Sequence, residues 1–280
     1  MFFYLFFCII VPFAFAKTEY CSGHEFSSTK VNCDKFQFSK LKSNGQCTDS
    51  KKATSGEFHG MALTNCTTFY DLSNLPSQSM DSKAIKMAEL ITNVFENGNT
   101  AMGYAAAERL GDCRGYTCGY IGFTTGTNDA YTVVKEYIRR KPKASIKKYI
   151  PALKKLTTYD FGDPKRDDTT QLKGFDKIWH KTTCDDPDFI QTQLDVGQSM
   201  YLKPALKYAA SVGIHSNLGK AIFYDTIVQH GWQYVESFIN LPRIIELTGP
   251  KKKEESERSY LTRFITTRRQ LVCCYPGGVW

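Results

Sequence analysis

Glu96 and Asp112 are two carboxylates sixteen positions apart, and their neighbours suit them to opposite halves of an acid–base reaction. Ile85, Ala88, Ile91 and Phe95 recur at three- and four-residue steps, predicting a helix that Asp81 caps and Asn97-Gly98 ends. Glu96 then lies beside the last carbonyls of that helix, whose partial negative charge favours the neutral carboxyl of a proton donor. Asp112 belongs to the stretch GDCRGYTCGYIGFTTGTND (residues 111–129), two positions before Arg114, and a guanidinium so close supports the carboxylate that a base requires. One acid held neutral and one held ionised, both ahead of short strands, is the pattern of a hydrolase that cleaves with two carboxylates.

The elements that must position these groups follow from periodicity. Tyr104, Ala107 and Leu110 predict a second helical run that breaks at Gly111. Thr, Tyr, Ile and Phe between the glycines that follow predict short strands. Beyond them only helical patterns occur: one that Thr127 can cap, with Val133, Val134, Tyr137 and Ile138, then others near 144–156, 186–201, 204–213, 216–229 and 255–271. The expected fold is therefore mainly α with one small, glycine-rich sheet (α+β). Two charges fall at helical spacing from apolar residues: Asp225 after Leu218 and Ile222, and Arg268 after Leu261, Phe264 and Ile265. A buried acid and a buried base each need a partner, so the two are expected to pair and to brace the acid–base loop.

The runs NVFENGNT, GDCRGYTCGYIGFTTGTND, YIPALKKL and AIFYDTIVQHG, in this order, resemble the chitosanases of glycoside hydrolase family 46. The likeness covers about residues 82–272. It implies a lysozyme-like fold of two lobes with a substrate cleft between them. It also implies a secreted, endo-acting and inverting hydrolase of the β-1,4 bonds of chitosan or partially acetylated chitosan, working as a monomer without metal or organic cofactor. Carried over, the resemblance makes Glu96 the general acid and Asp112 the base that activates water. Thr117 would help to position that water, and Arg114 would orient Asp112. Asp129 would contact a substrate amino group, and Glu108 would add negative charge to the cleft. The family has a buried network near its base, which is where Asp225 and Arg268 would belong. Its members place slightly more residues between acid and base and continue further after the last helix. A shortened connecting turn and a shorter tail are therefore expected here. Two other readings stay open: a lysozyme-like hydrolase of N-acetylated glycans, and a wall-associated glycan-binding protein with little or no catalysis.

The ends of the chain carry a different message. MFFYLFFCIIVPFAFA is uncharged and closes on Ala14-Phe15-Ala16, which fits a secretory leader over residues 1–16 and an extracellular, wall-accessible location without a membrane anchor after cleavage. Residues 17–80 are polar and carry Cys21, Cys33, Cys47 and Cys66, as expected of a disulfide-stapled extension ahead of a catalytic domain over 81–280. Of ten cysteines, nine remain once Cys8 leaves with the leader, so at least one is free or pairs between molecules. Cys113 and Cys118 are near enough for a local bond that the turn would strain, so a longer link from one of them to Cys184 is the more comfortable choice. No C-x-x-C pair and no zinc-finger spacing occurs, and Asn65 is the one glycosylation acceptor. The net charge of +8 gathers at residues 139–155, RRKPKASIKKYIPALKK, whose near lack of interleaved aromatics favours a solvated face over a nucleic-acid groove.

Overall fold

The computed structural model describes residues 72–98, 100–159, 163–232 and 240–274. The leader, the four-cysteine extension and the Asn65 acceptor lie outside the described residues. Two compact units form, one of residues 80–204 and one of residues 205–274 with 72–79. Among the described residues the architecture is mostly helical with one three-stranded sheet, as the periodicity implied. No helix there is long and apolar enough to cross a membrane.

In the first unit, helix α1 (Ser82–Asn97) begins where Asp81 accepts from the N–H groups of Lys83 and Ala84 and ends at Gly98 in the left-handed conformation, φ 71°. Its buried face differs from the expected one. Ala88, Glu89, Thr92 and Asn93 are inside, whereas Ile91 and Phe95, with Met87 and Val94, are exposed. The polar residues earn that place through partners. Asn93 donates to the Ala101 carbonyl at 2.9 Å and accepts from Gly103 N–H at 2.8 Å, and Gln198 donates to Glu89 at 3.1 Å. Satisfying the turn after the helix outweighed the apolar stripe in setting its rotation.

The run through Tyr104, Ala107 and Leu110 is not helical. Ala107–Arg109 is strand β1, paired antiparallel with β2 (Tyr116–Cys118), which pairs antiparallel with β3 (Phe123–Thr124). A partner strand nearby satisfies the backbone of this short segment, which three apolar positions alone could not foretell. Helix α2 (Asp129–Arg140) follows. Its N-cap is Asn128, at φ 78°, rather than Thr127, whose hydroxyl donates to Asp129 instead. Helix α3 (Ile150–Leu156), with the short 3-10 turns Ser145–Tyr149 and Pro164–Asp167, leads to α4 (Phe175–Asp185) and α5 (Pro187–Gly197). Helix α4 carried no clear sequence signal.

The core of this unit is aromatic: Trp179 meets Phe189 at 4.8 Å and Phe175 at 5.8 Å, and Tyr137 meets Phe189 at 4.8 Å. It holds the turn that leads into β1 through Tyr104 O, which accepts from Trp179 Nε1 at 3.0 Å and Gln193 Nε2 at 3.1 Å. The strands that carry the site are thereby tied to α4 and α5.

The second unit holds most of α6 (Lys203–Ser211), with α7 (Asn217–His230), α8 (Leu241–Thr248) and α9 (Glu257–Cys274). Phe223 and Phe264 stack at 4.6 Å in its core. On α7 the inward face is Phe223, Ile227 and His230, while Leu218 is exposed and Asp225 only half-buried. The expected Leu218–Ile222–Asp225 face is thus rotated outward, because Phe223 seats against α9.

Replacing Asn93 by Ala should cost about 1–2 kcal/mol by removing the side chain that ties the Ala101 carbonyl and the Gly103 N–H to α1. Ile91→Ala should cost less than about 0.5 kcal/mol as a surface change. Urea midpoints of the two variants against wild type measure the contrast.

Candidate active site

Asp112 lies in the loop between β1 and β2, and that loop is shaped by backbone that few side chains tolerate. Gly111 and Gly115 have φ of 74° and 78°, and Cys113 between them is held at 64°. Asp112 accepts from Arg114 N–H at 3.2 Å, and Arg114 Nε stands 3.1 Å from its other oxygen. A carboxylate gripped by the backbone and the side chain of one arginine has a fixed orientation.

Thr117 is central in the sheet, opposite Glu108 on β1 and Thr124 on β3. Its Oγ1 is buried and has no hydrogen-bond partner among the described residues. Such orphaned hydroxyls are rare in proteins and mark places where water or a ligand supplies the partner. Glu96 approaches the same spot. A Cβ built on Gly122 would stand 3.6 Å from Glu96 Oε2 and 3.3 Å from the Thr117 methyl. The turn between β2 and β3 therefore needs glycine for its φ of 69°, and a side chain there would press against the threonine methyl. Glu108 is exposed on the sheet edge.

Asp129 is buried at the start of α2, where Thr127 Oγ1 donates to it at 3.0 Å and Tyr201 OH at 2.7 Å. Thr127 N–H donates to Thr124 Oγ1, and the two threonine hydroxyls touch. Because the Thr127 proton points to Asp129, the Thr124 proton must point to Thr127, so one directed chain runs from the sheet to the carboxylate. Burial raises the Asp129 pKa to about 6 against the pull of these donors and of the Arg114 charge. Arg114 thus acts on Asp112 by contact and on Asp129 through its field.

In the second unit Asp225 and Arg268 do pair, Nη1 to Oδ2 at 2.6 Å, and the same nitrogen reaches Thr226 Oγ1 at 3.1 Å. Arg268 also donates to Gln229 and, through Nε, to His230 Nε2 at 3.2 Å. Burial, with the Arg268 charge beside it, holds His230 well below its usual pKa, so its imidazole is neutral and can accept. Spacing had not pointed to His230.

The cysteines differ from expectation. Cys113 is in a disulfide, while Cys118 and Cys184 are both free thiols, so neither the link to Cys184 nor the local Cys113–Cys118 bond forms. Cys118 is fully buried beneath the sheet. No group of His, Cys, Asp or Glu among the described residues is placed to hold a metal ion.

Sequence reasoning missed two further residues. Asp167 accepts from Gly115 N–H at 2.9 Å and Arg109 at 3.0 Å, and buried Arg166 donates to Gly126 O and Asn128 Oδ1. Their signal was weak, because KRDD reads as an ordinary charged turn.

Asp129 takes up its proton more readily folded than unfolded, so its contribution to stability is full at low pH and falls as pH rises from about 4 to about 6. Asp129→Asn has no such loss. Chemical denaturation should show the variant gaining on wild type by on the order of 2 kcal/mol between pH 4 and pH 7.

The comparisons agree on one group of proteins. A family model described as glycosyl hydrolase family 46 matches residues 90–274. A chitosanase from Bacillus subtilis (strain 168) is 39% identical over 186 residues, 65% of this chain and 65% of that protein, so the chain spans just under two thirds of its relative's length. Among solved structures, the native chitosanase from Bacillus subtilis MY002 is 35% identical with a TM-score of 0.63, over 69% of this chain and 79% of that one. A family 46 chitosanase from Gynuella sunshinyii in complex with chitotetraose is 29% identical with a TM-score of 0.64, over 72% and 81%.

Proposed function

The chain belongs to glycosyl hydrolase family 46, and from that premise we propose that it is an endo-acting chitosanase that cleaves β-1,4 bonds between glucosamine units with inversion. The fold is of the lysozyme-like class that the sequence likeness implied. The observation that carries the reading is the orphaned, buried Thr117 hydroxyl, with its methyl group and the Glu96 carboxyl both within 4 Å of where a Cβ on Gly122 would stand, and Asp112 in the loop that enters its strand.

In this reaction Glu96 donates its proton to the glycosidic oxygen as the bond to C1 breaks, and positive charge develops on the ring. Asp112 takes a proton from water, whose oxygen attacks C1 from the opposite face. Inversion requires room for that water, so the two carboxyls are expected roughly 6.5–9.5 Å apart with substrate bound. Thr117 Oγ1 offers the water an acceptor or donor, and Arg114 keeps the Asp112 oxygen aimed. Asp129, ionised above about pH 6, attracts a glucosamine ammonium. The relatives named chitosanase support the substrate, and the leader-like residues 1–16 support secretion.

A basic protein can still take a polycation. Part of the positive excess is matched locally: Glu136 pairs with Arg139 and Arg140, Asp195 with Arg140, and Asp188 with Lys141. Fields of exposed lysines fade within about 8 Å at physiological salt. Carboxylates at the site therefore outweigh distant charge.

Purified protein should shorten chitosan to oligosaccharides, read by loss of viscosity and by reducing ends. Glu96→Gln and Asp112→Asn should each lower kcat by about 10²–10⁴-fold, and Thr117→Ala by a smaller factor. Binding of chitosan with unchanged viscosity in the wild type would leave a glycan-binding role instead. Faster release from N-acetylated polymer would favour the lysozyme-like specificity.

A further inference from the structure

Two loops carry the groups assigned above, residues 110–115 with Asp112 and Arg114, and residues 125–128 leading to Asp129. They cross at one point. Gly126 N–H donates to the Arg114 carbonyl at 2.8 Å, and a Cβ on Gly126 would stand only 2.8 Å from that oxygen. The same peptide unit is held from its other side, since its N–H, that of Gly115, donates to Asp167 Oδ1 at 2.9 Å. Gly126 is held likewise: its carbonyl accepts from Arg166 Nη1 at 2.6 Å. Asp167 and Arg166 are consecutive, so the contacts close into a ring that runs from Asp167 to peptide 114–115, to Gly126, to Arg166 and back through one peptide bond.

The ring is anchored on both sides. The second Asp167 oxygen accepts from Arg109 on β1, and the remaining guanidinium nitrogens of Arg166 both donate to Tyr159 O. Arg166 is buried, 5% exposed, which makes its hydrogen bonds costly to lose and its position sharply defined. Asp163 starts the turn by accepting from Lys165 N–H at 2.9 Å, so the clamp is built on a capped element.

We propose that Asp167 and Arg166 are positioning residues for hydrolysis, a clamp that sets the base loop against the Asp129 loop. The inference rests on the chitosanase reading. Neither residue touches the reacting atoms. Asp167 fixes the peptide that follows Arg114, and so fixes the arginine that aims Asp112. Misplacing a reacting group by about 1 Å can cost a hundredfold in rate, so a backbone clamp this close to the base bears on kcat.

The test compares Asp167→Ala with Asp167→Asn in the full chain. Both lose the ion pair to Arg109, but only Asn keeps an oxygen for Gly115 N–H. Asp167→Ala is expected to lower kcat on chitosan about ten- to a hundredfold with KM within about twofold, and Asp167→Asn is expected to restore most of kcat. Arg166→Lys keeps a buried cation without the fork, and is expected to lower kcat in the same way. Amide hydrogen exchange reads the clamp without activity: Gly115 N–H should exchange at least about tenfold faster in Asp167→Ala and near the wild-type rate in Asp167→Asn. Equal kcat in the Ala and Asn variants, or unchanged Gly115 exchange in both, overturns the proposal. If Asp167→Ala does not fold, the Asp167→Asn exchange rate and the Arg166→Lys kcat decide. Wild-type protein that leaves chitosan intact overturns the chitosanase reading, while the exchange rates still report whether the clamp exists.

Discussion

Gly126 donates its N–H to the carbonyl of Arg114 across a gap that admits no Cβ, and the geometry of the first unit's site is arranged around that contact. It brings a loop bearing Asp112 and Arg114 against a loop bearing Thr127 and Asp129. The glycines beside it serve the same crossing: Gly115, at φ 78°, has Thr125 Oγ1 only 2.2 Å from where a Cβ would be, and that hydroxyl accepts from Tyr116 N–H at 3.0 Å. Two backbone segments can approach this closely only without side chains between them. The glycine density of residues 111–126 is the covalent cost of placing two carboxylates on one small sheet.

Electrostatics follow from that crossing. Arg114 serves two carboxylates in different media, Asp112 half-exposed and in contact, Asp129 buried and at a distance. Burial raises the Asp129 pKa, and the donors Tyr201 and Thr127 with the Arg114 field limit that rise to about 6, near where small changes alter its charge. In the second unit the balance is reversed. Arg268 spreads its donors over Asp225, Thr226, Gln229 and a neutral His230, so a single guanidinium satisfies a cluster that includes one formal negative charge. Planar, multidentate arginine suits both tasks, as a point-like lysine would not.

Legibility varied with the kind of signal. Local capping was plain: Asp81 and Gly98 bound α1 because their side-chain and backbone preferences need no distant partner. The rotation of that helix was hidden, since Asn93 turns inward to satisfy a loop that periodicity cannot see. The helix read through Tyr104, Ala107 and Leu110 proved to be strand β1, because pairing with Tyr116–Cys118 decides a three-residue segment. Asp225 and Arg268 were found from helical spacing although the face assumed for Asp225 was wrong; their opposite charges, more than their burial, drew them together. Arg166 and Asp167 were invisible, as a charged turn looks the same whether it faces water or grips a loop.

The amino-acid sequence by itself determined the mainly helical class, the stretch that supplies strands β2 and β3, the helix that delivers Glu96 and the motif that carries Asp112, Arg114, Thr117 and Asp129. Each of these rests on local preference or on a long, specific string of residues. Only the tertiary structure decided which faces are buried, that Thr117 keeps a hydroxyl without a partner among the described residues, that Asp129 is buried and poised near pH 6, and that Arg166 and Asp167 hold the two loops at their crossing. Those facts depend on desolvation and on contacts between residues far apart in the chain, and neither has a representation in spacing along it.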